Sequence, residues 1–306
     1  MQLEHASILH VLERHHGDPI ARPAPRAKRL RVAYVRAVPV IPVPAATVIL
    51  LRDSAGGPEV LMLERHARSE FLPDAYVFPG GRVEDADHDL AERIAGLSRR
   101  EASARLATVP AEQALGFFVA GVRETYEESG ILLARRRGNP GLLDAASAAA
   151  LSCHRLDVQK GEASFRDLVL GEDLVLAAEL LSVHAHWVTP EDSPRRFDTI
   201  FFAAETPPGQ RAVHDGVELT DHVWLCPEQA LADFRAGRRH MIIPTWANLE
   251  TLAGFPTAAA TLVASRQRPI VPITPILIER DGRRRVVIPE NAGYPTTEEL
   301  VGESLT

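Results

Sequence analysis

At 306 residues, with 45% apolar and 25% charged side chains, the chain is long enough for roughly two domains or one large α/β domain, and its composition excludes a fibrous or disordered class. A formal net charge of −7 argues against nucleic acid as the partner, because a phosphate backbone rewards clustered Lys and Arg, but it leaves room for a phosphorylated small molecule in a local basic pocket. Cys153 and Cys226 lie far apart and form no CxxC pair, so a disulfide scaffold and a Cys-rich zinc site are disfavoured and a reducing cytoplasm fits; no apolar run is long enough to predict a membrane span, and the opening residues do not read as a signal peptide.

Residues 1–43 read as an N-terminal arm: a short helix over residues 6–15, then a Pro- and Arg-rich extended stretch whose charges fit a solvated linker. From Ala45 the pattern becomes β-rich, with AATVILLR and VLMLER forming a hairpin across a Gly-Gly loop and a third strand, AYVF, leading into Pro79-Gly80-Gly81. After a polar, Ala- and Arg-rich piece with one helix, Pro110 opens the strongest helix of the chain, closed by Gly130 as a left-handed cap. Leu115, Phe118, Val119, Val122 and Tyr126 recur on it at three- and four-residue steps, which predicts one buried stripe with Glu124, Glu127 and Glu128 lying off it. A strand, ILLA, precedes a helical Ala/Leu-rich segment over residues 138–182. Strands return in HAHWVTP, RFDTIFFAAE and DHVWLCP; a helix starts at Pro227, another covers PTWANLETLAGF, and TPILIER-DG-RRRVVIP reads as a final hairpin.

Glu124, Glu127 and Glu128 stand at i, i+3 and i+4, which gathers three carboxylates on one helical face. Like charges at that spacing destabilise a helix unless a cation is bound among them, and an oxygen-only set suits Mg²⁺ or Mn²⁺. A bare ExxEE is more often a solvated acidic face. The context changes that balance: Phe78-Pro79-Gly80-Gly81 precedes the helix, and Gly81, Arg123, Glu124, Glu127, Glu128, Gly130 and Ile131 follow the pattern of the Nudix box, a run too long for coincidence. The chain therefore resembles the Nudix family. It departs from the box at Asp87, where Glu is expected, at Thr125, where an aliphatic residue is expected, and in some 28 extra residues before the helix. That insertion, with Trp187-Val188-Thr189-Pro190 and Arg196-Phe197-Asp198-Thr199, is similar to the branch of acyl-coenzyme A diphosphatases over roughly residues 45–294.

The resemblance implies an α/β/α sandwich with a mixed central sheet, spanning residues 44–306, with insertions at about 88–110 and 138–182 that shape the acyl or pantetheine side of the site. It implies metal ligation by Gly81, Glu124, Glu127 and Glu128, with Arg123 orienting the glutamates, and a base or further ligand from a later loop, for which Glu218 and Asp221 are the candidates. Arg65, Arg82 and Arg196, beside Arg68 and Arg195, are candidates for gripping phosphates, since guanidinium pairs bidentately with them, although each alone reads as a surface charge. The implied reaction is metal-dependent hydrolysis of coenzyme A or its thioesters to 3′,5′-ADP and (acyl-)4′-phosphopantetheine. ADP-ribose or NADH as substrate, and a ligand-binding protein that has lost catalysis, are the alternatives; a homodimer is left open. His184-Ala185-His186 would put two imidazoles on one strand face, but no third zinc ligand is visible and a structural pair is favoured.

Overall fold

The computed structural model describes residues 40–68, 73–213 and 219–300, so the arm, apart from residues 40–43, and its helix lie outside the described residues. Strand β1 (Val43–Ser54) turns through Ala55-Gly56 into β2 (Gly57–Arg65), followed by β3 (Tyr76–Val77) and β4 (Gly80–Arg82). Helices α1 (Asp85–Asp89), α2 (Arg99–Arg105) and α3 (Ala114–Ser129) come next. Beyond them the segment 138–182, expected to be helical, holds the short helices α4 (Ala145–Leu151), α5 (Arg155–Gln159) and α6 (Phe165–Gly171), fastened by a two-stranded ladder of β5 (Ala134–Arg136) and β6 (Leu174–Leu176). Then follow β7 (Ser182–Val188), β8 (Phe197–Glu205), β9 (Leu219–Leu225), α7 (Pro227–Arg235), α8 (Ile243–Leu252) and α9 (Ala258–Gln267). The chain ends its described part in β10 (Pro272–Ile273), β11 (Ile276–Arg280), β12 (Arg283–Val287) and β13 (Glu298–Leu300).

The central sheet is mixed, in the order β10-β7-β8-β1-β2-β3, with β4 paired to the first half of β1 and β9 paired to β2. Strand β1 runs parallel to β8 from Val43↔Phe197 to Leu51↔Glu205 and antiparallel to β2. Successive side chains of a strand point to opposite faces. Ala46, Val48 and Leu50 accordingly join one core with α3 and the 88–182 segments, whereas Ile49 and Leu51 join a second core with α7, α8 and α9. Helices on both faces of a mixed sheet make the expected α/β/α sandwich.

Helix α3 is buried almost all round rather than along one stripe. Phe118 packs on Phe202 of β8 at a centroid distance of 4.7 Å, an aromatic contact worth about 1 kcal/mol beyond its area. Gly130 closes the helix at φ 73°, and its N–H donates to the Tyr126 carbonyl, as a left-handed glycine cap does. The helix begins at Ala114, residues 110–113 forming a turn in which Gln113 N donates to the Pro110 carbonyl. At the far end Asp281 and Gly282, at φ 55° and 69°, form the tight turn that the final hairpin needs.

Candidate active site

Two neighbours bring the acidic face of α3 into the interior. Strand β4 pairs with Ala45–Thr47 of β1 and crosses directly over the helix; a Cβ at Gly81 would stand 2.4 Å from Glu124 Oε1, so only glycine fits there. The backbone N–H of Gly80 donates to Glu128 Oε2 at 2.9 Å, which fixes that carboxylate. On the other side α1 presents Asp87, which is buried and accepts from its own cap residue, Glu84 N, at 2.9 Å.

Arg123 is the hub. Its Nε and Nη2 donate to Asp87 Oδ1 and Oδ2 at 2.8 and 2.9 Å, its Nη2 also to the Arg82 carbonyl, and its Nη1 to Glu124 Oε1 at 2.8 Å and more loosely to Glu127 at 3.3 Å. Burial opposes the guanidinium charge, but the bonds to Asp87 and the field of Glu124 outweigh it and hold Arg123 above its ordinary value. One cation does not neutralise this cluster: burial pushes Glu124 well above the carboxylate range against the pull of Arg123, and burial also raises Glu127. The Asp87 position, a departure from the Nudix box by its shorter side chain, therefore anchors Arg123 bidentately.

Crowded, buried, incompletely neutralised oxygen donors fit a hard divalent cation. Among the described residues no three His, Cys, Asp or Glu side chains converge into a metal cage of their own.

The carboxylates divide between two openings. Glu124, Glu128, Gly80 and Gly81 line a cavity of about 650 Å³, together with Arg65, Arg82 and Arg195. Glu127, Arg123 and Asp87 line a smaller cleft of about 260 Å³, closed on its far side by residues 158–166. The insertions thus border the smaller cleft; the larger cavity is walled instead by β7, the loop before β8, the start of α8 and the β11–β12 hairpin.

Other expected site residues fall elsewhere. Glu218 lies outside the described residues. Asp221 is exposed on β9 opposite Glu64 and lines neither opening. Arg196 is buried, its guanidinium donating to the Thr189 and Val40 carbonyls at 3.0 and 2.7 Å, and its neighbour Arg195 lines the cavity. The two histidines of HAH do not share a face. A register shift between Val183 and Ala185 sends His184 to Ser265 and Thr251, at 2.9 Å each, while His186 meets Thr108 at 2.8 Å and Asp198. Sequence reasoning passed over Trp187, Ile242, Ile243, Leu277 and Val286 as cavity residues; they carry no polar signal and come together only through the sheet topology.

No helix among the described residues is long and apolar enough to cross a membrane. Residues 89–252 match the family model of the NUDT19 Nudix domain, a span that contains helix α3 and nearly all of both insertions. The acyl-coenzyme A diphosphatase NUDT19 of Gallus gallus is 30% identical, the alignment covering 85% of this chain and 81% of that protein. Those of Xenopus laevis and Homo sapiens are 28% and 27% identical, and the alignments span 60% and 62% of their lengths. Among solved structures, a NUDIX hydrolase from Alicyclobacillus acidocaldarius superposes with a TM-score of 0.57 at 25% identity, covering 73% of this chain and 96% of that one. The chain belongs to the NUDT19 Nudix family and is a Nudix hydrolase.

Proposed function

We propose that the protein hydrolyses the phosphoanhydride bond of coenzyme A or an acyl-coenzyme A, giving 3′,5′-ADP and (acyl-)4′-phosphopantetheine, with Mg²⁺ or Mn²⁺ as cofactor. The observation that carries this reading is the Arg123-centred carboxylate cluster opening through Glu124 and Glu128 into a cavity that also holds Arg65, Arg82 and Arg195. The names of the NUDT19 relatives support the choice of substrate.

In the reaction a water oxygen bonds to one phosphorus, the bridging P–O bond breaks, and the departing phosphate oxygen keeps the electron pair while the proton of the water is released. Glu124, Glu128 and the Gly81 carbonyl, with Glu127 beside them on α3, would hold a divalent ion, which when bound would supply charge neutralisation and a more acidic water. The chain's own residues do the positioning. Gly80 N–H and Arg123 hold Glu128 and Glu124 in fixed directions before substrate arrives, so little reorganisation is needed at the moment of reaction. Arg65, Arg82 and Arg195 offer charge-assisted hydrogen bonds to the diphosphate oxygens.

A panel of coenzyme A, acyl-coenzyme A, ADP-ribose and NADH, each with Mg²⁺ or Mn²⁺ and with products identified by mass, tests the reading. Coenzyme A forms should be cut to the two products named, and EDTA should abolish turnover. Much faster cleavage of ADP-ribose or NADH would overturn the substrate assignment and leave the hydrolase.

A further inference from the structure

The main cavity reaches from the α3 carboxylates, on one face of the sheet, to Trp187 and the β11–β12 hairpin on the other. Its volume of about 650 Å³ is that of a site for one drug-sized ligand. One stretch of the wall is apolar, formed by Phe78, Trp187, Ile242, Ile243, Leu277 and Val286, beside polar side chains such as Ser193, Arg195 and Thr245. Leu277 and Val286 are directly opposed across the hairpin; Val286 is 1% exposed, whereas Leu277 remains 47% exposed although it lines the cavity. The wall is also braced in advance. Trp187 Nε1 donates to Tyr294 Oη at 3.1 Å, Tyr294 Oη donates to Asn248 Oδ1 at 2.7 Å, and all three residues are buried.

We propose that this apolar part of the cavity takes the acyl-pantetheine arm of a thioester substrate, with Leu277 and Val286 setting acyl-chain preference, while the 3′,5′-ADP arm stays outside it. The assignment rests on the coenzyme A reading above. It follows from desolvation: against the apolar stretch of Phe78, Trp187 and the hairpin a doubly phosphorylated arm would lose hydration, whereas an alkyl chain would cover the half-exposed Leu277. It also moves the expected acyl side from the insertions to the C-terminal third of the chain.

The test is steady-state kinetics of the full chain with coenzyme A, its butanoyl, octanoyl and dodecanoyl thioesters, and ADP-ribose. With the wild-type protein kcat/KM should climb by about fourfold for each methylene buried and then level off as the cavity fills. Leu277→Asp should lower kcat/KM for the octanoyl thioester about tenfold or more relative to coenzyme A. Because the residue is half exposed, folding should survive; Leu277→Ser, checked by its melting curve, serves if it does not. Inhibition by acyl-4′-phosphopantetheine should weaken in the same variants more than inhibition by 4′-phosphopantetheine. A flat chain-length profile, or variants that depress coenzyme A, its thioesters and ADP-ribose alike, would mean that another arm, such as an adenine stacked on Trp187, occupies the cavity, and would overturn the assignment while leaving the coenzyme A reading intact. Failure of the wild-type protein to cut any coenzyme A form would remove both.

Discussion

Arg123 shares one guanidinium among Asp87, Glu124 and Glu127, and replacing these partners should change different quantities. Glu124→Gln removes charge from the side chain that burial already disfavours as an anion. The metal-free melting temperature should therefore hold or rise, the stabilisation gained on adding Mg²⁺ should shrink, and kcat should fall by about 10²- to 10⁴-fold. A variant that melts early yet keeps near-native activity would make Glu124 a structural partner only. Asp87→Asn acts in the other direction. It breaks the bidentate half of a buried pair, and urea denaturation should show a loss of about 3 kcal/mol, the low end of such costs because Glu124 and Glu127 still face the guanidinium. His184 gives a pH prediction. Full burial, with a smaller push from Arg268, lowers it from 6.5 to about 3, so the folded chain holds it neutral while the unfolded chain binds a proton below about 6.5. Its contribution is complete above 6.5 and is lost as pH falls from there toward 3. At pH 5 the loss is about 2 kcal/mol, and in His184→Gln the stability difference between pH 7 and pH 5 should shrink by that amount. An unchanged difference would refute the assignment.

At the scale of elements, the loop between β7 and β8 separates a structural arginine from an exposed one. Arg196→Ala leaves the Thr189 and Val40 carbonyls without their donor and should cost about 2–3 kcal/mol in urea with KM within about twofold of wild type, whereas Arg195→Ala should raise KM. The reverse pattern would restore Arg196 as a phosphate contact. Elements whose ends carry local chemistry were legible in the sequence: Gly130 as a left-handed cap, Pro227 in the first turn of α7, Asp281-Gly282 between β11 and β12. Helix α9 was missed, although Thr257 accepts from Ala260 N as an ordinary cap, because its Ala-rich run shows little periodic contrast. The bulge at β7 had no signal either. Strict alternation placed His184 and His186 on one face, and a single register shift parted them. The carboxylates of α3 were placed correctly relative to one another, since helical spacing is local, but their burial depends on β4 and α1, which no spacing within the helix reports.

Over the whole molecule, the faces of the sheet divide the work: α3 and its carboxylates belong to one core, the hairpin and α8 wall of the cavity to the other, and the cavity joins them past β4. That partition was not legible, because it is set by which strands pair. The parallel pairing of β1 with β8 also bears on how the protein is made. Val43 meets Phe197 across about 150 intervening residues, and closing a flexible loop of that size costs roughly 4 kcal/mol before any contact between the strands forms. The hairpin of β1 and β2 can form early, yet β1, which also carries β4, has an unfilled edge until β8 has been synthesised. Such high contact order places folding toward the slow side of the range for single domains. During translation the nascent chain therefore carries an open, apolar strand edge, with Val48, Ile49 and Leu50 at its centre, for much of its synthesis, a template for wrong pairing that closes only when β8 arrives.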